Sequence, residues 1–327
     1  MEESIKNFAP VMIPTLCRSQ HFKECVESLK RCRWADKTDV FIGLDYPANA
    51  SHREGYKEIC IYLNELEKNH PFKTLNVIRR ECNYGLGREG NSAKLREEIL
   101  KNYDRVIFSE DDNVFSPAFL DFINRGLERF KDDKSIQAIC GYRHFYIIKT
   151  GKENFYRQSV DFSAWGYGTW KDRIEELNKI DPLWFKSRLN LKEFLKFKKN
   201  QGNRRALQFL KISNMNPIKF GLTDNVISVY MGLTGKDVVM PEITCVKNMG
   251  LDGSGVNFND ADPKLKHAHS SQSLYSDNLY ELHGDGFYAY SDNKKVHIKQ
   301  SYDKLNDILL LKDVLKESLK TLLRKIF

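Results

Sequence analysis

Short apolar runs alternate with stretches of helical periodicity through the first third of the chain. Residues 8–15 carry Val11, Met12 and Ile13 between two prolines and predict a strand. After a turn at 16–19, Phe22, Val26 and Leu29 recur near helical spacing over 21–32. A second apolar run, 40–44, ends on Asp45 and predicts a second strand. A helix bearing Ile59, Leu63 and Leu66 follows, then a third strand near 75–78. The loop 81–90 holds Gly85, Gly87 and Gly90, and Asn91 opens another helix. A fourth strand, Val106 to Phe108, runs directly into Glu110, Asp111 and Asp112. Strand–helix alternation repeated in this way predicts an α/β fold with a mostly parallel sheet flanked by helices.

The pattern then loosens. A helix starts near Pro117, and 136–140 reads as a strand. Residues 142–167 are rich in aromatics and poor in helix signals. The run 165–170, Trp-Gly-Tyr-Gly-Thr-Trp, predicts a Gly-aromatic turn leading into a helix over 171–178. A helix follows Asp224 and continues through Met231, with a further strand near 238–241. Residues 248–259 are polar and rich in glycine, which predicts a mobile loop. Residues 260–300 are polar, with weak strands near Tyr280 and His297. The chain closes on 305–327, where Ile308, Leu311, Leu315, Leu319, Leu322 and Ile326 predict an amphipathic helix.

Composition narrows this picture without changing it. The 327 residues are 41% hydrophobic and 29% charged, as expected for an ordinary globular protein. No apolar run approaches the ~20 residues of a membrane span. The opening Met-Glu-Glu-Ser lacks the features of a secretion signal. Seven scattered cysteines without a Cys-x-x-Cys argue for free thiols, a reducing cytoplasm and no cysteine zinc site. The net charge of +8 is concentrated between Lys186 and Arg205, where eight basic residues face one acid, Glu193. By default such a run is a solvated helix face. Trp184, Phe185, Phe194 and Phe197 interleave with it, which also suits a membrane surface. No nucleic-acid-binding motif is present, and no nucleic acid partner is expected.

Candidate chemistry begins at the acidic triplet. Three adjacent carboxylates cannot all be buried ionised without a compensating cation. In a parallel sheet, ligands bind beyond the carboxyl ends of the strands, and the predicted topology places Arg18, Asp45, Arg88 and the triplet together there. Mg²⁺ or Mn²⁺ needs only one or two protein carboxylates when substrate phosphates supply the rest. The loop around Arg88 is neither a Walker loop nor a dinucleotide fingerprint. Arg88 and Lys94 nevertheless suit diphosphate oxygens. Asp224 reads either as a helix N-cap or as a functional carboxylate.

The order of strand, Pro-Thr-x-x-Arg turn, Asp after the second strand, Asn-x-Gly loop, then strand and Glu-Asp-Asp resembles the GT-A-type nucleotide-sugar glycosyltransferases. The likeness is to the N-acetylglucosaminyltransferase class that initiates N-glycan branching and to bacterial polysaccharide enzymes of family 2 type. The stretch 161–168 is similar to the family's acceptor-side Asp-Phe motif, and 248–255 to its glycine-serine loop near the donor. The resemblance covers roughly residues 8–260. It implies a GT-A (Rossmann-like) domain over 1–260, with a nucleotide-binding half to about 130 and an acceptor half over 131–260. Residues 261–327 would then form a C-terminal extension.

The same resemblance implies transfer of a hexosyl or N-acetylhexosaminyl group from a UDP-sugar to a glycan or lipid-linked acceptor, metal-dependent and inverting, in cell-surface polysaccharide synthesis. Thr15 and Arg18 would line the nucleotide, and Asp45 would accept a hydrogen bond from uracil. Glu110 and Asp111 would hold the ribose and sugar side, and Asp112 would coordinate Mn²⁺ or Mg²⁺. Asp224 would be the catalytic base, with Asp161 and Glu175 in reserve. Trp165 and Gly166 would face the acceptor sugar, and Gly253 and Ser254 would lie in the mobile loop. A lipid-linked acceptor would place the protein in the cytoplasm, peripheral to an anionic membrane. Two alternatives stay open: a sugar nucleotidyltransferase, and a non-catalytic membrane- or nucleic-acid-binding protein built on a decayed domain of this type.

Overall fold

A computed structural model describes residue 5 and residues 7–143, 155–159, 161–217, 220–241, 244–250 and 313–318. Its first half follows the alternation in the sequence. The order is β1 (Val11–Thr15), α1 (Ser19–Lys30), β2 (Asp39–Leu44), α2 (Arg53–Leu66), β3 (Thr74–Arg79), α3 (Asn91–Ile99) and β4 (Arg105–Phe108). After β4 come β5 (Asn113–Phe115), α4 (Phe119–Arg129), β6 (Ile136–Cys140), β7 (Phe155–Gln158) and β8 (Tyr167–Trp170). Three helices follow, α5 (Lys171–Asn178), α6 (Pro182–Ser187) and α7 (Leu191–Ser213). The last elements in the order are α8 (Asp224–Thr234), β9 (Asp237–Pro241) and β10 (Val246–Asn248).

Eight strands form one sheet in the order β3-β2-β1-β4-β8-β6-β9-β7. The four strands from β3 to β4 are parallel to one another. Strand β8 runs antiparallel to both β4 and β6, β9 is parallel to β6, and β7 is antiparallel to β9. The fold is therefore the mixed α/β architecture with a mostly parallel sheet that the sequence predicts. The predicted Gly-aromatic turn is corrected in part. Tyr167 to Trp170 is a central strand, and the turn is confined to Gly166, whose φ is +66°.

Period-two alternation sorts side chains to the two faces of the sheet. On β1, Val11 and Ile13 join the core under α1, α2 and α4, while Met12 packs on the other face with Leu95 and Ile99 of α3 and Ile174 of α5. Further along, Ile139 and Val239 continue the first core. Ala138, Cys140, Val238 and Met240 face a separate cluster under α6, α7 and α8. Each fully buried aliphatic side chain contributes on the order of 1.5–3 kcal/mol, so both faces are held by apolar burial. Of the predicted C-terminal helix, residues 313–318 are described as helical, and Val314 packs into the α6–α8 cluster. The predicted mobile loop from 251 onward, including Gly253 and Ser254, and the predicted weak strands lie outside the described residues.

A small second sheet positions the site. Strand β5 starts immediately after Asp112 and pairs antiparallel with β10, matching Asn113 to Asn248 and Phe115 to Val246. This pairing lays residues 248–250 against the end of β4.

Candidate functional site

Strand β4 delivers the three acids to the carboxyl-end rim of the sheet, and α1 begins beside them. Arg18, the residue before α1, bridges two of the acids. Its guanidinium contacts Asp111 Oδ1 and lies 2.7 Å from Asp112 Oδ2. Thr15 Oγ1 donates to Asp111 Oδ2 at 2.9 Å. Asp111 is thus enclosed by Arg18 and Thr15, and its carboxyl is raised above the ordinary range, chiefly by burial. Asp112 Oδ1 accepts from Asn248 Nδ2 at 2.8 Å, and the Asp112 carbonyl accepts from the Met249 amide at 2.8 Å.

Glu110 differs from its neighbours. Its side chain reaches solvent, and no polar partner holds its carboxylate among the described residues. Protein surrounds it nonetheless. Burial, then the charges of Asp112, Asp224 and Asp111, push its carboxyl up to about 8, with Arg18 opposing. Exposed to solvent yet set close to protein atoms and three other charges, Glu110 stands at the open carboxyl-end rim of the sheet.

Asp224, from the second half of the chain, comes close enough to this rim for its charge to raise Glu110. Sequence reasoning left open whether it caps α8, and the structure assigns the cap to Thr223, whose side chain accepts from the Val226 amide. Asp224 is free for another role at the first helical position. Its Oδ2 accepts from the Ala164 amide at 3.3 Å. Burial pushes its carboxyl up to about 6, opposed by the Ala164 amide and Arg205. Asp161 lies behind it in an ion pair with Arg205, only 5% exposed. Burial and the Asp224 charge raise its carboxyl to about 7, with Arg204 opposing. Arg205 also donates to Asn225 Oδ1 at 3.2 Å, so it ties Asp161 to the start of α8.

Several predicted site residues are engaged elsewhere. Asp45 does reach the rim, but its carboxylate accepts from the amides of Tyr46, Tyr84 and Gly85 and from the Asn83 side chain, at 2.9–3.3 Å. A carboxylate has about four acceptor positions, so none remains for a base. In this structure Asp45 clamps the glycine-rich loop. Arg88 donates to the carbonyls of Ile180 and Asn178 and lies 5.0 Å over the Phe220 ring. It fastens the loop to the end of α5 rather than joining the acids. Lys94 sits 4.8 Å over the Tyr84 ring and 3.9 Å from Glu89. Trp165 packs edge-on against Tyr142 at 4.6 Å, on the margin of the core. A Cβ on Gly166 would meet Phe119 and Val246 at 2.9 Å, so this glycine serves packing rather than an acceptor sugar. Glu175 is exposed on α5.

Sequence reasoning gave no individual role to three participants, although Asn248 and Gly250 lie in the stretch likened to the donor-side loop. Asn248 holds Asp112 and also donates to Asn113 Oδ1 at 3.3 Å. Arg205 was indistinguishable from the rest of its basic run. Gly250 stands where any side chain would strike the acids: a Cβ there would lie 2.0 Å from Asp112 Oδ2 and 3.0 Å from Arg18. Gly250→Ala is therefore expected to displace the Arg18–Asp112 pair and lower activity at least about tenfold, while the core it does not touch leaves the melting temperature within a few degrees. Melting and turnover measured on one preparation check this.

The donor set can be tested against a divalent metal. Among the described residues no group of three or more His, Cys, Asp or Glu side chains forms a closed site. An Mg²⁺ or Mn²⁺ that shares substrate phosphates does not need one. Asp112 has given up two of its acceptor positions, to Arg18 and Asn248, and keeps the others. Asp111, Asp112 and Arg18 together carry one uncompensated negative charge, and Glu110, raised to about 8, adds a second on ionising. On this charge balance the residues present fit a divalent cation, which Asp112 would hold.

No protein-family model matches the chain. No curated protein matches it either. Among solved structures, the chain is similar to S. aureus TarS 1–349 in complex with UDP-GlcNAc, at 18% identity over 45% of this chain and 40% of that one, with a TM-score of 0.31. It is also similar to the mannosyltransferase PcManGT from Pyrobaculum calidifontis in complex with GDP-Man and Mn²⁺, at 10% identity over 97% and 88% of the two chains, TM-score 0.41. The bifunctional glycosyltransferase WbbM aligns at 11% identity over 54% and 34%, TM-score 0.30. In the first and last of these alignments the chain spans less than half of its counterpart.

Proposed function

We propose that this chain is a metal-dependent glycosyltransferase that moves a sugar from a UDP-sugar to a hydroxyl of a glycan or lipid-linked acceptor. The observation that carries this reading is the acidic rim at the carboxyl ends of the strands, where the charge of Asp224 raises the Glu110 carboxyl beside the Arg18–Asp111–Asp112 bridge. Arg18 is the side chain nearest to hand for offsetting charge on a departing diphosphate. Asp112 would hold Mn²⁺ or Mg²⁺, which supplies Lewis-acid stabilisation of that same leaving group. Glu110 would hydrogen-bond the donor sugar or ribose. Asp224 would take the proton of the incoming hydroxyl, and one base with one departing diphosphate suits single displacement with inversion.

Uridine as the base, the hexosyl or N-acetylhexosaminyl group and a role in cell-surface polysaccharide synthesis follow from the sequence resemblance. So does the division into a catalytic domain over 1–260 and an extension over 261–327. The rival nucleotidyltransferase would need a glycine-rich basic loop after β1, and Pro14-Thr15-Leu16-Cys17-Arg18 contains no glycine. A thermal-shift panel of nucleotide sugars and nucleoside diphosphates, with and without Mn²⁺, tests the reading. UDP with Mn²⁺ is expected to raise the melting temperature, and no shift with any nucleoside diphosphate would overturn the proposal.

A further inference from the structure

The basic run between Lys186 and Arg205 is not explained by the acidic rim. Its aromatic residues are turned inward: Phe185, Phe194 and Phe197 are 0%, 9% and 4% exposed and belong to the α6–α8 core. The membrane-facing role that sequence reasoning gave them is thereby corrected. Leucines take the outer face instead. Leu183 on α6 is 64% exposed, and Leu191 and Leu195 on α7 are 75% and 53% exposed. Three of the eight exposed large hydrophobic residues among those described thus fall within 13 positions. Leu191 and Leu195 are four apart, so they share one helix face.

Lys192, Lys196 and Lys199 follow these leucines at helical spacing, are exposed, and have no ion-pair partner among the described residues. Lys186 and Arg188 are exposed on the preceding turns, and Glu193 is the single acid between Lys186 and Arg205. Apolar side chains in water cost free energy, and unpaired lysines crowded on one helix repel. A surface that is apolar at its depth and anionic at its boundary relieves both.

We propose that the outer face of α6 and the N-terminal half of α7 docks on an anionic lipid bilayer, with Leu183, Leu191 and Leu195 entering the acyl boundary and the lysines meeting the headgroups. This does not depend on the catalytic reading. The docking half of α7 ends at Gly202, where the backbone leaves helical geometry at φ 79° and ψ 172°. The second half carries Arg205, which holds Asp161 and the start of α8 beside Asp224. Ten residues, interrupted by the break at Gly202, separate Leu195 from Arg205, so the docking face and the arginine that holds Asp161 belong to one element of the chain.

Vesicle co-sedimentation of the full chain tests this. Phosphatidylcholine–phosphatidylglycerol vesicles are expected to pellet the protein at low salt, and pure phosphatidylcholine vesicles are not. Lys192→Glu/Lys196→Glu/Lys199→Glu is expected to weaken partitioning by at least roughly a hundredfold, since losing each basic residue near the surface counts about fivefold and the added acids repel the headgroups. Leu191→Asp/Leu195→Asp is expected to weaken it at least about tenfold at fixed charge on the lysines. Both variants keep their circular dichroism and their nucleotide thermal shift. Failure to pellet with anionic vesicles, pelleting that both variants retain, or binding to nucleic acid in place of vesicles overturns the proposal. Loss of the nucleotide shift in the wild type instead overturns the catalytic reading alone.

Discussion

Asp112→Asn is expected to abolish the Mn²⁺-dependent part of UDP stabilisation while leaving the metal-free part in place. The size of the effect can be set in advance. Donor at a hundredfold over its dissociation constant adds about 2.7 kcal/mol. Unfolding a chain of this length releases roughly 0.7 kcal/mol per kelvin, so the wild type should gain about 4 °C. Asparagine keeps the volume of the side chain and an acceptor for Asn248 Nδ2, and Arg18 keeps Asp111. The fold is therefore retained, and the change falls on the charge at the rim. Loss of the metal's contribution to leaving-group stabilisation, several kcal/mol, lowers turnover by about a thousandfold or more. Asp112→Ala guards against residual binding by the amide. Should both variants keep the Mn²⁺ increment while Glu110→Gln loses it, the metal belongs to Glu110 and the assignment of Asp112 is wrong.

The value of that experiment depends on which features the sequence made legible. Local hydrophobic periodicity located the elements from β1 to β4 to within a few residues, because each strand is a short apolar run bounded by a turn or an amphipathic helix. It also delivered the acids to the rim, because a parallel strand can end nowhere else. Periodicity could not show how β5 and β10 pair, since each is a three-residue strand whose partner lies more than 130 positions away. That pairing alone brings Asn248 and Gly250 to Asp112. Nor could spacing distinguish a rim carboxylate that faces a ligand from one that faces its own loop. Asp45 and Asp112 both follow strands, yet one is saturated by four donors and the other retains capacity. Arg205 and its basic neighbours were alike in sequence. Only the break at Gly202 separates an outward lysine face from an inward arginine.

Asp224→Asn is expected to lower kcat by about 10²–10⁴-fold, the usual contribution of a positioned general base, with donor affinity nearly unchanged. The asparagine can still accept from the Ala164 amide, and Thr223 continues to cap α8. A structural role would instead show as a lower melting temperature. The direction of the pKa shift argues against that outcome. A carboxyl raised from its unfolded value to about 6 favours the folded state least when ionised, so its contribution to stability falls as pH rises from about 4 through 6. Removing the ionisable group at pH 7 therefore leaves stability equal or higher. The sign for catalysis is opposite: a base must be deprotonated, so wild-type kcat/KM should rise through about pH 6 and level off above it. If the limb appears near 8, where burial and neighbouring charge place Glu110, then Glu110 and not Asp224 takes the proton. A limb near 6 that persists in Asp224→Asn rules out Asp224 as its source. The buried acids of this rim act against the stability of the free protein, and the arrangement becomes intelligible if a cation and a substrate hydroxyl are what they await.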